Sequence, residues 1–209
     1  MALHWDLAVQ PKANFLFAHG AGAGLDSDFM QHMATLIAAQ GINVARFDFT
    51  YMQQANALNK RRPPDKADKL LACFKAYLEE IDNGLPTFIG GKSMGGRMAT
   101  LLACDNSLNI AGVLAFGYPF HPPGKPEKLR TEHFSTITLP TLILQGERDT
   151  FGTREEVGLW SLPETLQWYW LADGDHSFKP RKASGFSEAQ HRQSAANRAV
   201  TFMQEQLCQ

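Results

Sequence analysis

The run Gly90-Gly91-Lys92-Ser93-Met94-Gly95-Gly96 constrains this chain more than any other stretch. A short apolar segment, 86–89, leads into it, and an apolar-periodic stretch through Ala99, Leu101, Leu102 and Cys104 follows. The pattern predicts strand, sharp turn and helix, with Ser93 in a G-x-S-x-G at the turn. A serine there sits on a strained turn with its hydroxyl exposed, and its neighbours must be small for strand and helix to approach. A phosphate-binding loop, G-x-x-x-x-G-K-[ST], fails on one residue, because it needs glycine where this chain has Pro86.

Repeated strand–helix units surround this turn. Strands are expected at Asn14–Ala18, Ile42–Phe49, Pro86–Ile89, Gly112–Phe116, Thr141–Gln145 and Leu166–Leu171, with Leu3–Val9 as an antiparallel edge strand. Helices are expected over Asp28–Gln40, Asp65–Ile81 and Ser187–Leu207. A capping box, Thr153 with Glu156, starts a short one. The alternation implies an α/β fold with a mostly parallel sheet covered on both faces. At 209 residues, 1–209 reads as a single domain. The segments Tyr51–Asp65 and Tyr118–Phe134 read as irregular loops over the site, too short for a substantial lid.

Ligands of open α/β sheets bind at the carboxyl ends of the strands, so polar residues just past each strand matter most. Asp149 follows the Thr141–Gln145 strand and His176 follows Leu166–Leu171. Ser93, Asp149 and His176 thus occur in the chain order Ser…Asp…His, the order of the α/β-hydrolase fold. The chemistry requires all three. His176 takes the serine proton during attack and returns it to the leaving group, while Asp149 holds the imidazole in the correct tautomer. Glu147, Asp173 and Asp175 are the weaker acids by position.

The loop His19–Gly24 ends the first strand, where this fold supplies half of an oxyanion hole. Ala21 and Met94 are the expected backbone donors, and His19 reads as a loop-organising residue. A dinucleotide site is excluded because Leu25 stands where its last glycine belongs. Tyr51, Tyr118, Phe151 and Phe178, with Met52 and Phe120, come from strand-end loops and are expected to line an apolar substrate pocket. Lys92, inside the turn, is expected to be solvated, as is the basic cluster Lys60-Arg61-Arg62.

A formal charge of −1 argues against nucleic acid or anionic membrane as partner. No histidine spacing suggests a metal site, and no cofactor is expected. Cys73, Cys104 and Cys208 do not suggest a disulfide framework. With no secretory leader pattern at the N-terminus and no long apolar run, the expected location is cytoplasmic.

With these residues in view, the chain resembles small, lidless α/β-hydrolases related to testis-expressed protein 30 and the hydrolase-like part of NSL-complex subunit 3. Dienelactone hydrolases are more distant relatives. The resemblance rests on His19–Gly24, Arg46–Phe49, Lys60–Asp65, Gly90–Arg97, Gly146–Asp149 and Gly174–Ser177. It implies serine-type hydrolysis at Ser93, with Asp149 and His176 completing a triad; it names no natural substrate, and the residues themselves lead to a small-molecule acyl substrate, an ester, thioester or lactone, as the first expectation. It also includes a member that works within a protein assembly. A hydrolase-shaped, non-catalytic interaction module is therefore the second expectation.

Overall fold

The computed structural model describes residues 3–208. Seven strands form one sheet: β1 (His4–Asp6), β2 (Ala13–Ala18), β3 (Ile42–Phe47), β4 (Thr87–Lys92), β5 (Gly112–Phe116), β6 (Thr141–Gly146) and β7 (Leu166–Leu171). Their order across the sheet is β1-β3-β2-β4-β5-β6-β7. β1 pairs antiparallel with β3, and every other neighbouring pair is parallel. This is the α/β-hydrolase fold, with β4 at the centre of the order.

Side-chain alternation along the strands divides the core into two layers. Phe15, Phe17, Leu114 and Phe116 face α1 (Asp28–Ala38) and the closing helix Glu188–Leu207, packing with Met33, Ile37, Ala199 and Phe202. Leu16, Ala18, Val113 and Ala115 face the other way, toward α3 (Ala67–Glu79) and α4 (Met94–Leu102). There Phe74, Tyr77, Met98 and Ala99 meet them. Both faces of the sheet are covered, as parallel strands require. Each fully buried phenylalanine contributes about 1.5–3 kcal/mol relative to exposure, so the rings of Phe15, Phe17 and Phe116, within 6.2 Å of one another, anchor the first layer.

Two expectations need correction. Residues 51–58 are not an irregular loop but most of a helix, α2 (Thr50–Leu58). Tyr51 and Ala55, one turn apart, bury themselves beneath it, and this packing outweighs a polar composition that reads as loop. Asn59 ends the helix at φ +48°, and the Lys60 amide closes back on the Ala55 carbonyl at 3.0 Å. The second correction lengthens the central strand. β4 continues through Gly90, Gly91 and Lys92, each paired with β5, so the strand runs to the residue before Ser93. The connection 117–133 has no helix or strand and forms no lid. Among the described residues, no helix is long and apolar enough to cross a membrane.

Candidate active site

β4 ends at Lys92 and α4 begins at Met94, so Ser93 alone makes the turn. Its φ of +52° and ψ of −112° lie where side chains other than glycine are strained. The conformation is held by a hydrogen bond from the Ser93 amide to the Phe116 carbonyl (3.0 Å) and by the helix that follows. The flanking glycines answer to crowding. A Cβ on Gly91 would lie 2.5 Å from the Gly95 carbonyl carbon and 2.6 Å from the Ala18 oxygen. One on Gly95 would lie 2.4 Å from that same oxygen. The turn is therefore wedged against the end of β2, with no room for any other residue at either position.

The loops after β6 and β7 bring two polar side chains to Ser93. His176 Nε2 lies 2.9 Å from Ser93 Oγ, and His176 Nδ1 lies 2.7 Å from Asp149 Oδ2. A carboxylate only accepts, so it fixes the proton on Nδ1 and leaves Nε2 as acceptor for the serine hydroxyl. Asp149 is fully buried. Gln145 Nε2 donates to its Oδ2 at 2.8 Å and the Phe151 amide to its Oδ1 at 2.9 Å, which supports the charge where water cannot. Burial holds the His176 imidazole below its ordinary range. Its hydrogen bond to Asp149 opposes that effect, and the nearby Lys92 charge adds to it. A lowered imidazole with its Nδ1 proton held by Asp149 leaves Nε2 as an acceptor facing the serine hydroxyl.

The other acids on these loops have different partners. Glu147 accepts from Arg154 (2.5 Å) and from the Asp173 amide (3.0 Å). Asp173 pairs with Arg148 and Arg181. Asp175 accepts from the amides of Ser177 and Lys179 at 2.8 and 2.9 Å, closing the turn that carries His176.

His19 is fully buried. Its Nδ1 donates to the Gly20 carbonyl (2.7 Å) and its Nε2 accepts from the Phe49 amide (3.1 Å), which ties the β2 loop to the end of β3. That loop lies against the turn: a Cβ on Gly20 would sit 3.7 Å from Ser93 Cβ. Tyr51 donates its hydroxyl to the Ala21 carbonyl (2.9 Å), and burial pushes that phenol up to about 12, so it stays protonated. Among the described residues, the amides of Ala21 and Met94 donate to no protein acceptor.

The expected aromatic pocket is largely overturned. Tyr118, Phe120 and Phe178 are fully buried, and Tyr51 is nearly so. Tyr118 packs on Phe120 and Phe134 and donates to the Arg130 carbonyl (2.6 Å). Phe178 stacks edge-on against Phe29. These rings close the core under the strand ends, where apolar area gains more from burial than from lining an open site. Phe151 alone stays beside the relay, with its ring 4.3 Å from the His176 ring.

Lys92 is corrected as well, since it is 9% exposed rather than solvated. Its ammonium donates to the His176 carbonyl at 2.5 Å and lies between the rings of Phe29 and Phe178, 5.5 and 5.7 Å from their centroids. Among the described residues no carboxylate pairs with it, and burial brings it down to about 8. Gln145 is a site residue that sequence reasoning missed. Besides supporting Asp149, its Oε1 accepts from the Tyr118 amide at 2.7 Å, linking the loops after β5 and β6. The available signal was a polar residue closing an apolar strand. Among the described residues, no group of three metal-ligating side chains occurs.

Comparison with known proteins agrees with this architecture. Residues 11–204 match the model of the family described as "Alpha/beta hydrolase domain", and the chain belongs to that family. The same fold occurs in a dienelactone hydrolase from Anabaena variabilis (18% identity, TM-score 0.71, covering 96% of this chain and 89% of that one). It occurs in the ferulic acid-bound Est1E of Butyrivibrio proteoclasticus (14% identity, TM-score 0.73, 100% and 96% covered). A lidless α/β serine hydrolase from Xanthomonas campestris is also similar (18% identity, TM-score 0.69, 95% and 87% covered).

Proposed function

We propose that this hydrolase cleaves a small carboxylic ester, thioester or lactone through an acyl-enzyme on Ser93. The observation that carries the reading is the continuous relay from Asp149 through His176 to Ser93, at 2.7 and 2.9 Å. As Ser93 Oγ attacks the carbonyl carbon, its proton moves to His176 Nε2, and Asp149 stabilises the imidazolium that forms. The carbonyl oxygen becomes an oxyanion, which the free amides of Ala21 and Met94 receive. His176 then protonates the leaving group. Water, giving its proton to the same nitrogen, attacks the acyl-enzyme and releases the acid and Ser93.

Within the family, the motifs at Lys60–Asp65 and Gly90–Arg97 favour kinship with testis-expressed protein 30 and NSL-complex subunit 3. A purely structural role in an assembly is disfavoured because nucleophile, base and acid are all in hydrogen-bonded register. We take 1–209 as one hydrolase domain and the cytoplasm as its location. Three free thiols, one of them exposed, suit a reducing compartment.

The test is intact mass after treatment with a fluorophosphonate, which labels activated serines. A single adduct on the wild type, absent from Ser93→Ala and His176→Ala, is the expected result. A folded wild type that takes no adduct refutes the proposal.

A further inference from the structure

We infer that the substrate carries an anionic group, bound by Lys60, Arg61 and Arg62 in a groove bordered by the loop that packs against Ser93; this rests on the hydrolase reading above. A cavity of about 630 Å³ is lined by Ala21 and Gly22 of the loop after β2, by Met52 and Asn56 of α2, and by the three cations. Its volume is that of a small-molecule site. Ala21 ties the cavity to the loop that packs against Ser93, because a Cβ on Gly20, its chain neighbour, would lie 3.7 Å from the serine Cβ.

The cations are placed by the backbone rather than left on a loose loop. Asn59 turns the chain in the left-handed region, and the Lys60 amide is fastened to the Ala55 carbonyl at 3.0 Å. Pro63 and Pro64 then hold the segment extended. All three side chains are exposed, and among the described residues none forms an ion pair. The nearby Asp48 is already committed, accepting from the Leu25 amide (2.8 Å) and Asn56 Nδ2 (2.9 Å). Three unneutralised cations lining a cavity that also reaches the loop beside Ser93 favour an acyl compound with a carboxylate or phosphate several bonds from the scissile carbonyl.

Two substrate pairs separate the sources of that charge. Mono-p-nitrophenyl glutarate against p-nitrophenyl valerate places the anion on the acyl side. Butyryl-coenzyme A against butyryl-N-acetylcysteamine places phosphates on the leaving group. In at least one pair the anionic member is expected to have about ten-fold higher kcat/KM, the scale of one charge-assisted contact. Arg61→Ala/Arg62→Ala is expected to abolish that preference by lowering kcat/KM for the anionic member about ten-fold relative to the neutral one. The preference should also shrink between about 0.02 M and about 0.5 M salt. Equal rates within both pairs, or a preference that survives the double substitution, overturn the inference. A role confined to helix stability would lower Tm and spare the preference, which also overturns it.

Binding reads the site without turnover. Glutarate and pyrophosphate titrated into Ser93→Ala are expected to show saturable heat for at least one of them, lost in the Ser93→Ala/Arg61→Ala/Arg62→Ala variant. Binding without any hydrolysis would sink the catalytic reading, and the substrate inference with it, leaving only anion binding by the three cations. Hydrolysis of the neutral ester with neither anion bound would keep the catalytic reading and overturn this inference alone.

Discussion

The buried Lys92 makes a quantitative prediction. Its ammonium is charged at pH 7, yet it is enclosed by Phe29, Phe178 and the His176 carbonyl, and burial lowers it from 10.5 to about 8. Between those pH values the unfolded chain holds a proton that the folded chain has released, so stability rises with pH in that window. The gap corresponds to about 3 kcal/mol at roughly 1.4 kcal/mol per pH unit. Lys92→Met removes the titration while keeping most of the stem packed. Urea unfolding of both proteins at about pH 7, 8.5 and 10 gives the difference directly, because every other alkaline group cancels to first order. At pH 7 the substitution removes a buried charge and also a hydrogen bond, so its sign there is set by their balance. The change with pH depends on the titration alone. The wild type should gain roughly 2–3 kcal/mol on Lys92→Met between pH 7 and 10. Curves that stay parallel to within about 0.5 kcal/mol would refute the argument, since they would mean that Lys92 titrates alike in folded and unfolded chains.

Other perturbations test the site. Asp149→Asn keeps the shape but lets the amide donate, which favours the wrong imidazole tautomer; kcat should fall about 10⁴-fold with secondary structure unchanged by circular dichroism. The acid limb of kcat/KM should lie below pH 6.5, because burial lowers the His176 imidazole, and should move upward in Lys92→Met once the neighbouring positive charge is gone. Gly95→Ala places a methyl against the Ala18 and His19 carbonyls at 2.4 and 2.7 Å. Neither can retreat, so a loss of about 3 kcal/mol or more, read as a Tm drop of roughly 6–12 °C, is expected. Gln145→Leu leaves the buried Tyr118 amide without its acceptor and Asp149 short of one donor; unfolding should be easier by about 1–3 kcal/mol.

The sheet was legible because its strands are short apolar runs between turn residues, and because β-to-α alternation admits few topologies. Ser93, Asp149 and His176 were legible for a different reason: the G-x-S-x-G motif marked the serine, and strand-end position with the chain order Ser…Asp…His selected the other two. Burial was harder to read. Tyr118 and Phe178 stand at the same strand ends as Phe151, and nothing in their identity tells which ring turns inward to meet Phe134 or Phe29. Lys92 misled because lysine is almost always solvated; only tertiary packing supplies the aromatic slot that holds it. The helix Thr50–Leu58 was obscured by its composition, since just two of its residues, Tyr51 and Ala55, are buried.

The strand order has a consequence for how the protein fails. Ser93 hangs from β4, flanked by β2 and β5, but His176 hangs from β7, which has β6 as its one neighbour. Cooperative melting of the whole sheet is not needed to detach the base; fraying of one border strand is enough. On gradual heating, catalysis should therefore vanish before the far-ultraviolet signal changes, and amides of 166–171 should exchange with deuterium sooner than those of 87–92. On the proposed mechanism, the nucleophile hangs from the centre of the sheet and its proton acceptor from the border.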